Sequence, residues 1–281
     1  MSELGSAGWP RLLRFLAGEG REPPRTLVVA AHPDDEVIGI GGQLGRLRSR
    51  VHVLHVTDGA PRDMRDAHAH GFATRHAYAD ARRRELLAAL AEAGIGPERT
   101  FVFGLADQEA AQDLVAVTRR LAELLGWLRP ESVVSPAYEG GHPDHDAAAF
   151  AAWAARALLR RGGQLAPEGV EYPLYHRGRH GMVTGHFLAG GPPALLVRLS
   201  PEDCALKRRM VSRFATQREV LAPFCLDAER FRATPERDFR KPPHQGALHY
   251  EQLPWGWTGA RWREDAARAL VELELGPVVP A

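Results

Sequence analysis

The feature that most constrains this chain is an alternation of short apolar runs with stretches long enough to form helices. "RTLVVAA" (25–31) reads as a strand buried on both faces, "EVIGIGGQLGRLRSR" (36–50) as a helix, and "VHVLHVT" (51–57) as a second strand. Helical periodicity returns over "YADARRRELLAALAEAGI" (78–95). A strand "TFVFGL" (100–105), a helix "EAAQDLVAVTRRLAELLGWL" (109–128), a strand "ESVVSP" (131–136) and a helix "PDHDAAAFAAWAARALLRR" (143–161) follow. Strands alternating with helices of this length predict βαβ units, and so an α/β, Rossmann-like, mostly parallel sheet with helices on both faces. Further strands are expected near 170–175 and 194–199, a helix from Pro201 to Glu219, irregular chain past 222, and a last helix over 261–273. We read 1–281 as one domain, with a core over 25–220 and a C-terminal extension over 221–281.

Composition narrows the function classes. A formal net charge of +1 gives no electrostatic reason to expect a nucleic-acid partner or an anionic membrane surface. Cys204 and Cys225 stand far apart, which suggests neither a disulfide framework nor a thiolate metal site. No apolar run is long enough to insert into a bilayer, and "GWPRLLRFLAGEGREPP" is unlike a signal peptide. The expectation is a cytoplasmic protein with a small-molecule partner; a homo-oligomer stays open.

Two strands end in the same unusual way. After 25–31 come His32, Pro33, Asp34, Asp35 and Glu36; after 131–136, "AYEGG" leads to His142, Pro143, Asp144, His145 and Asp146. In an open parallel sheet, ligands bind outside the carboxyl ends of the strands, so these clusters are expected to meet in one active site. Imidazoles mixed with carboxylates suit zinc, which in catalytic sites takes three protein ligands and keeps a position for water. A single Asp34 or Asp144 would be an ordinary helix cap, but two His-Pro-Asp turns at strand ends point to metal or catalytic use. Spacing alone does not choose Asp34 over Asp35, or His142 over His145.

"AAHPDDE" followed by "GIGG", with "HPDHD" further along, resembles the PIG-L/LmbE-like zinc-dependent N-deacetylases, and the likeness extends through "VTDG" (56–59), "RRRE" (82–85) and "GLAD" (104–107). That family removes acetyl groups from N-acetylglucosamine-containing molecules. The resemblance implies Zn2+, or another divalent transition metal, held by His32, Asp35 and His145. It implies Asp34 as general base, protonated His142 as oxyanion stabiliser and proton donor, and Asp144 as the residue orienting His142. Arg82 and Asp107 become substrate contacts; for Arg82 the alternative is a solvated helix face beside Arg83 and Arg84. Ala60 and the histidine-rich segment 60–77 depart from the family pattern and bear on sugar specificity. His68, His70 and His76 there read as surface histidines.

The expected activity is removal of an N-acetyl or short N-acyl group from an amino-sugar-containing substrate. Two alternatives stay open: a zinc amidase acting on a larger amide conjugate, and a non-catalytic sugar- or nucleotide-binding protein, the latter suggested by "GIGG" (39–42). The proline- and aromatic-rich segment 241–258 either folds back beside the catalytic edge or packs on a remote face.

Overall fold

The computed structural model describes residues 8–276, so the two ends of the 1–281 range lie outside the described residues. Nine strands are present among them: β1 (Thr26–Ala30), β2 (Val51–Pro61), β3 (Thr100–Asp107), β4 (Ser132–Pro136), β5 (Glu168–Tyr172), β6 (Tyr175–Gly178), β7 (Gly181–Thr184), β8 (Leu195–Arg198) and β9 (Ala228–Ala233). The helices are α1 (Arg11–Leu16), α2 (Asp35–Leu47), α3 (Arg65–Ala69), α4 (Arg75–Glu92), α5 (Leu114–Leu128), α6 (Pro143–Arg161), α7 (Pro201–Val211), α8 (Arg218–Leu221) and α9 (Gly259–Glu272).

Seven strands form one sheet in the order β3-β2-β1-β4-β5-β9-β8. The first five run parallel, while β9 is antiparallel to both β5 and β8. β6 and β7 make a separate hairpin. Successive strand side chains point to opposite faces, and this chain buries both. Leu27, Val29, Leu54 and Val133 pack with Leu121, Phe150 and Trp262 of α5, α6 and α9. Val28, Val53, Val134 and Val170 pack with Leu13, Leu44, Leu86 and Met210 of α1, α2, α4 and α7. The expected α/β sheet with helices on both faces is therefore the observed one. Sequential connection runs outward from β1 to β3, then returns to β4 on the other side of β1. The crevice at that reversal, at the carboxyl ends of β1 and β4, is where such sheets bind ligands.

Two regions differ from expectation. β9 lies in the stretch read as irregular, and it adds to the same sheet as the core. Glu229 and Arg232 disguised it, because charged residues break an apolar pattern; both are buried and paired, Glu229 Oε1 with Lys207 Nζ at 2.7 Å and Arg232 Nε with Glu171 Oε1 at 2.6 Å. The helix expected to reach Glu219 ends at Val211, followed by a short turn and α8. The glycines of "GIGG" lie inside α2 and serve packing. A Cβ at Gly39 would fall 2.3 Å from the Tyr172 ring, and at Gly42 2.6 Å from Leu199. The nucleotide-binding alternative thereby loses the feature that suggested it.

Candidate active site

The first His-Pro-Asp turn joins β1 directly to α2. Asp34 sits at φ 140°, ψ −28°, a conformation that L-residues rarely adopt. Such a backbone costs on the order of 1–3 kcal/mol and persists only where its surroundings enforce it. Asp35 follows as the first helical residue; its Oδ2 accepts from the N–H groups of Ala31 (3.0 Å) and His32 (2.8 Å). That anchors the carboxylate and turns Oδ1 to within 3.2 Å of His145 Nε2. His32 Nδ1 lies 3.2 Å from the same Nε2 and 3.5 Å from Asp35 Oδ2. Donors bound at about 2.0–2.1 Å around a tetrahedral zinc are separated by roughly 3.3 Å, close to the His32 Nδ1–His145 Nε2 and Asp35 Oδ1–His145 Nε2 separations. On its far side His32 Nε2 meets Asp107 Oδ1 (3.1 Å) and Asp144 Oδ2 (3.3 Å), the carboxylate backing that orients a metal-binding imidazole.

The second turn joins β4 to α6. His142 caps the helix: its Nδ1 accepts from the Asp144 N–H at 3.1 Å, and Pro143 fills the first helical position. Its hydrogen therefore sits on Nε2, which faces Asp107 Oδ1 at 3.4 Å. Gly141 is needed here, since a Cβ would lie 2.0 Å from the Tyr175 carbonyl oxygen. The carboxylate of Asp144 does not orient His142 as expected. It accepts from the N–H groups of Gln108 (2.6 Å) and Ala110 (3.0 Å) and supports His32 instead. Orientation of His142 falls to the Asp144 backbone and to Asp107.

Arg82 is buried on α4, which removes the solvated-face alternative. Its guanidinium donates to the carbonyls of Gly59 (2.9 Å) and Pro33 (2.8 Å) and to Asp34 Oδ2 (3.1 Å), so it clamps the strained turn. Asp107, expected to contact substrate, bridges His32 and His142. One participant was not anticipated: His55, which pairs with Glu36 of the first turn. Glu36 Oε2 accepts from the Asp34 N–H at 3.1 Å and from His55 Nε2 at 2.9 Å, with both side chains fully buried. A histidine inside a strand buried on both faces was the available signal.

Burial dominates the electrostatics. It pushes the Asp34 carboxyl up to about 8 against the opposing pull of Arg82. For Asp35 burial acts the same way but is outweighed by His145 and His32, which hold it well below the carboxylate range. Burial also works against charge on His32, yet Asp107, Asp144 and Asp35 together raise its pKa well above the ordinary value. His142 is held well below the ordinary value by burial and then by His32. The neutral Nε2–H form of His142 fits its hydrogen-bond surroundings, whereas the family pattern implies a protonated ring.

Segment 241–258 lies beside this edge of the sheet. The Trp255 ring is 4.7 Å from that of His142, Trp257 Nε1 donates to the Gln108 carbonyl at 3.2 Å, and the His249 N–H donates to the Gly140 carbonyl at 2.8 Å. His68, His70 and His76 are exposed, as expected of surface histidines.

Other donor sets overlap the first. Ligand atoms of His32, His142 and His145 lie within 4.8 Å of one another, as do those of His32, Asp107, His142 and Asp144. No helix among the described residues is long and apolar enough to cross a membrane.

Comparison with known proteins finds similar chains in one family of deacetylases. Residues 27–156 match the PIG-L family model, described as GlcNAc-PI de-N-acetylase. A 1D-myo-inositol 2-acetamido-2-deoxy-alpha-D-glucopyranoside deacetylase of Saccharopolyspora erythraea is 34% identical over 146 residues, covering 44% of this chain and 53% of that protein. The chain thus spans about half the length of the curated relatives it matches. Among solved structures, the A40926 pseudoaglycone deacetylase Dbv21 superimposes with a TM-score of 0.58 at 21% identity, covering 75% of this chain and 97% of that one. The zinc-inhibited form of teicoplanin deacetylase Orf2 does so with a TM-score of 0.55 at 18% identity, covering 74% and 97%. At these identities the structural likeness speaks for the fold.

Proposed function

We propose, from the match of residues 27–156 to the PIG-L family model, that the chain is a zinc-dependent N-deacetylase that removes an acetyl or short acyl group from an amino-sugar-containing small molecule. The observation that carries the proposal is the juxtaposition of His32 Nδ1, Asp35 and His145 Nε2 at separations of 3.2–3.5 Å, with Asp34 next in the chain. His32, Asp35 and His145 hold the metal in this reading. His142 is left free of the metal because its Nδ1 is occupied by the Asp144 N–H. When bound, zinc lowers the pKa of water to about 7 and polarises the amide carbonyl.

The chain's own residues do the rest. Asp34 accepts a proton from the attacking water, its carboxylate aimed by Arg82 and by the enforced turn. His142 presents Nε2–H to the developing oxyanion, a preorganised donor in a site from which water is largely excluded. The departing amine needs a proton. Asp34, held beside the site by Arg82, returns the one it took. Asp107 keeps the His142 ring in place, and Asp144 keeps that of His32. The 1D-myo-inositol 2-acetamido-2-deoxy-alpha-D-glucopyranoside deacetylase named above acts on an amino-sugar derivative, which supports the substrate class.

Incubating the purified protein with a panel of N-acetylated amino sugars and their conjugates, then identifying products by mass spectrometry, tests this reading. Release of acetate and a free amine is expected. Release only of larger acids indicates an amidase acting on a bigger conjugate. No hydrolysis of any member by zinc-loaded protein overturns the proposal.

A further inference from the structure

The strained conformation of Asp34 has to be imposed by something, and the contacts around it show what. On one side Arg82 holds its carboxylate and the preceding Pro33 carbonyl. On the other, its backbone N–H is held by Glu36 Oε2 at 3.1 Å, and that same oxygen accepts from His55 Nε2 at 2.9 Å. His55 is rigidly placed: it sits on β2 opposite Ala30 in the parallel register with β1, and its side chain is fully buried. The pair is dearly bought structurally, since Glu36 Oε1 and His55 Nδ1 are buried with no partner in the described residues. A buried ion or polar pair is weak evidence of stabilisation, because apolar residues of the same shape serve a core as well or better. Its contacts instead lead to one place, the backbone of Asp34.

We propose that His55 is a positioning residue: through Glu36 it fixes the backbone of Asp34 at its unusual φ, and so the direction in which the Asp34 carboxylate faces the reacting water. This rests on Asp34 being the proton acceptor. The chain of contacts is short and directional. His55 donates to Glu36, which keeps Oε2 under the Asp34 N–H; the N–H in turn keeps the peptide between Pro33 and Asp34 in one orientation. Without His55 the Glu36 carboxylate can rotate away, and the turn can relax toward an ordinary helix start. The carboxylate would then leave its place beside Arg82. Misplacement of a reacting group by about 1 Å can cost 100-fold in rate.

The test compares His55→Gln, whose amide N–H reaches about as far as Nε2, with His55→Asn, whose amide is too short to reach Glu36, and with His55→Phe, which fills the space with no donor. For each we would measure thermal melting, zinc by elemental analysis, and kcat and KM on whichever N-acetylated amino sugar the wild type hydrolyses best, and determine a crystal structure. H55N and H55F are expected to lower kcat about 10–100-fold with little change in KM or zinc content. H55Q should recover most of that loss. Asp34 should leave the positive-φ region in H55N. If H55F fails to fold, the H55N and H55Q pair, alike in polarity and different in reach, still decides the matter. Equal kcat in H55N and H55Q, or an Asp34 that keeps its φ in H55N, overturns the proposal. Should the wild type hydrolyse nothing, the functional reading fails by itself, while the Asp34 backbone in the H55N crystal still tests the positioning.

Discussion

The two His-Pro-Asp turns look alike in sequence and are put to different uses. At the end of β1, Asp34 has no side-chain hydrogen bond to cap its helix, and its carboxylate meets only Arg82 among the contacts described. Asp35 points an oxygen at His145. At the end of β4, the histidine is the cap, and both aspartates hold loops, Asp144 while also facing His32 Nε2 at 3.3 Å. Asp144 binds the N–H groups of Gln108 and Ala110, and Asp146 those of Glu139 (3.0 Å) and Gly140 (3.1 Å). The first turn thus keeps carboxylate oxygens facing Arg82 and His145, whereas the second gives its carboxylates mainly to backbone N–H groups. The backbone explains the difference. A positive φ at Asp34 prevents the normal capping geometry, whereas His142, in extended conformation, adopts it.

The largest effect should come from breaking the histidine of the second turn that lies 3.2 Å from both His32 Nδ1 and Asp35 Oδ1 of the first. His145→Ala is expected to abolish turnover and to lose most of the zinc that elemental analysis finds in the wild type. A variant that keeps near-stoichiometric metal would move the ligand role to His142, whose atoms lie in an overlapping group with His32 and His145.

Next in size is Asp34→Asn, which removes the proposed proton acceptor while leaving His32, Asp35 and His145 intact. A fall in kcat of roughly two to four orders of magnitude is the usual worth of such a group. Zinc content and KM should stay close to wild type. Near-wild-type turnover with full metal would show that Asp34 serves as a helix start and nothing more, and the contrast between the two turns would collapse.

Much of this was legible in the chain. The alternation of apolar runs with helical stretches carried the parallel sheet, and its reversal point placed the two turns side by side. What could not be read were contacts made by the backbone. Nothing in "HPDHD" announces that Asp144 will bind the N–H groups of Gln108 and Ala110, because those groups come from a distant loop and any residue type supplies them. The same holds for Arg82, whose partners include two carbonyls. Its identity was visible, but not its direction. β9 escaped because its charges are neutralised by Lys207 and Glu171, neither of which is near it in sequence.

A scaffold carboxylate and a catalytic one fail differently, which gives the third test. Asp144→Asn keeps one acceptor oxygen and sets an NH2 group against the remaining N–H. Leaving one buried backbone donor unsatisfied costs about 1–3 kcal/mol, which for a protein of this size lowers Tm by several degrees at most. Asp146→Asn should lower Tm in the same way. The expected signature is a lowered Tm, with kcat reduced about 10–100-fold in Asp144→Asn, whose carboxylate backs His32, and less in Asp146→Asn, against the two to four orders usual for losing a general base. If Asp144→Asn instead leaves Tm unchanged and lowers kcat as far as Asp34→Asn does, the second turn is as catalytic as the first.

The smallest expected effect concerns the segment that packs on the second turn. The contacts of 241–258 described above all fall on residues around β4 and the loop after β3: Trp255 on His142, Trp257 on Gln108 and His249 on Gly140. Trp255→Ala should therefore loosen His142 and leave the first turn untouched. An aromatic contact of this kind is worth about 0.5–1.5 kcal/mol, so kcat/KM should fall roughly 2–10-fold. Zinc content should not change, because His32, Asp35 and His145 lose no partner. Combining the substitution with Asp34→Asn separates the two turns further. If they act independently, the two losses multiply, as expected for sites without shared contacts. A double variant no worse than Asp34→Asn alone would mean that Trp255 acts through Asp34, and zinc lost from the single variant would mean that the segment braces the metal ligands.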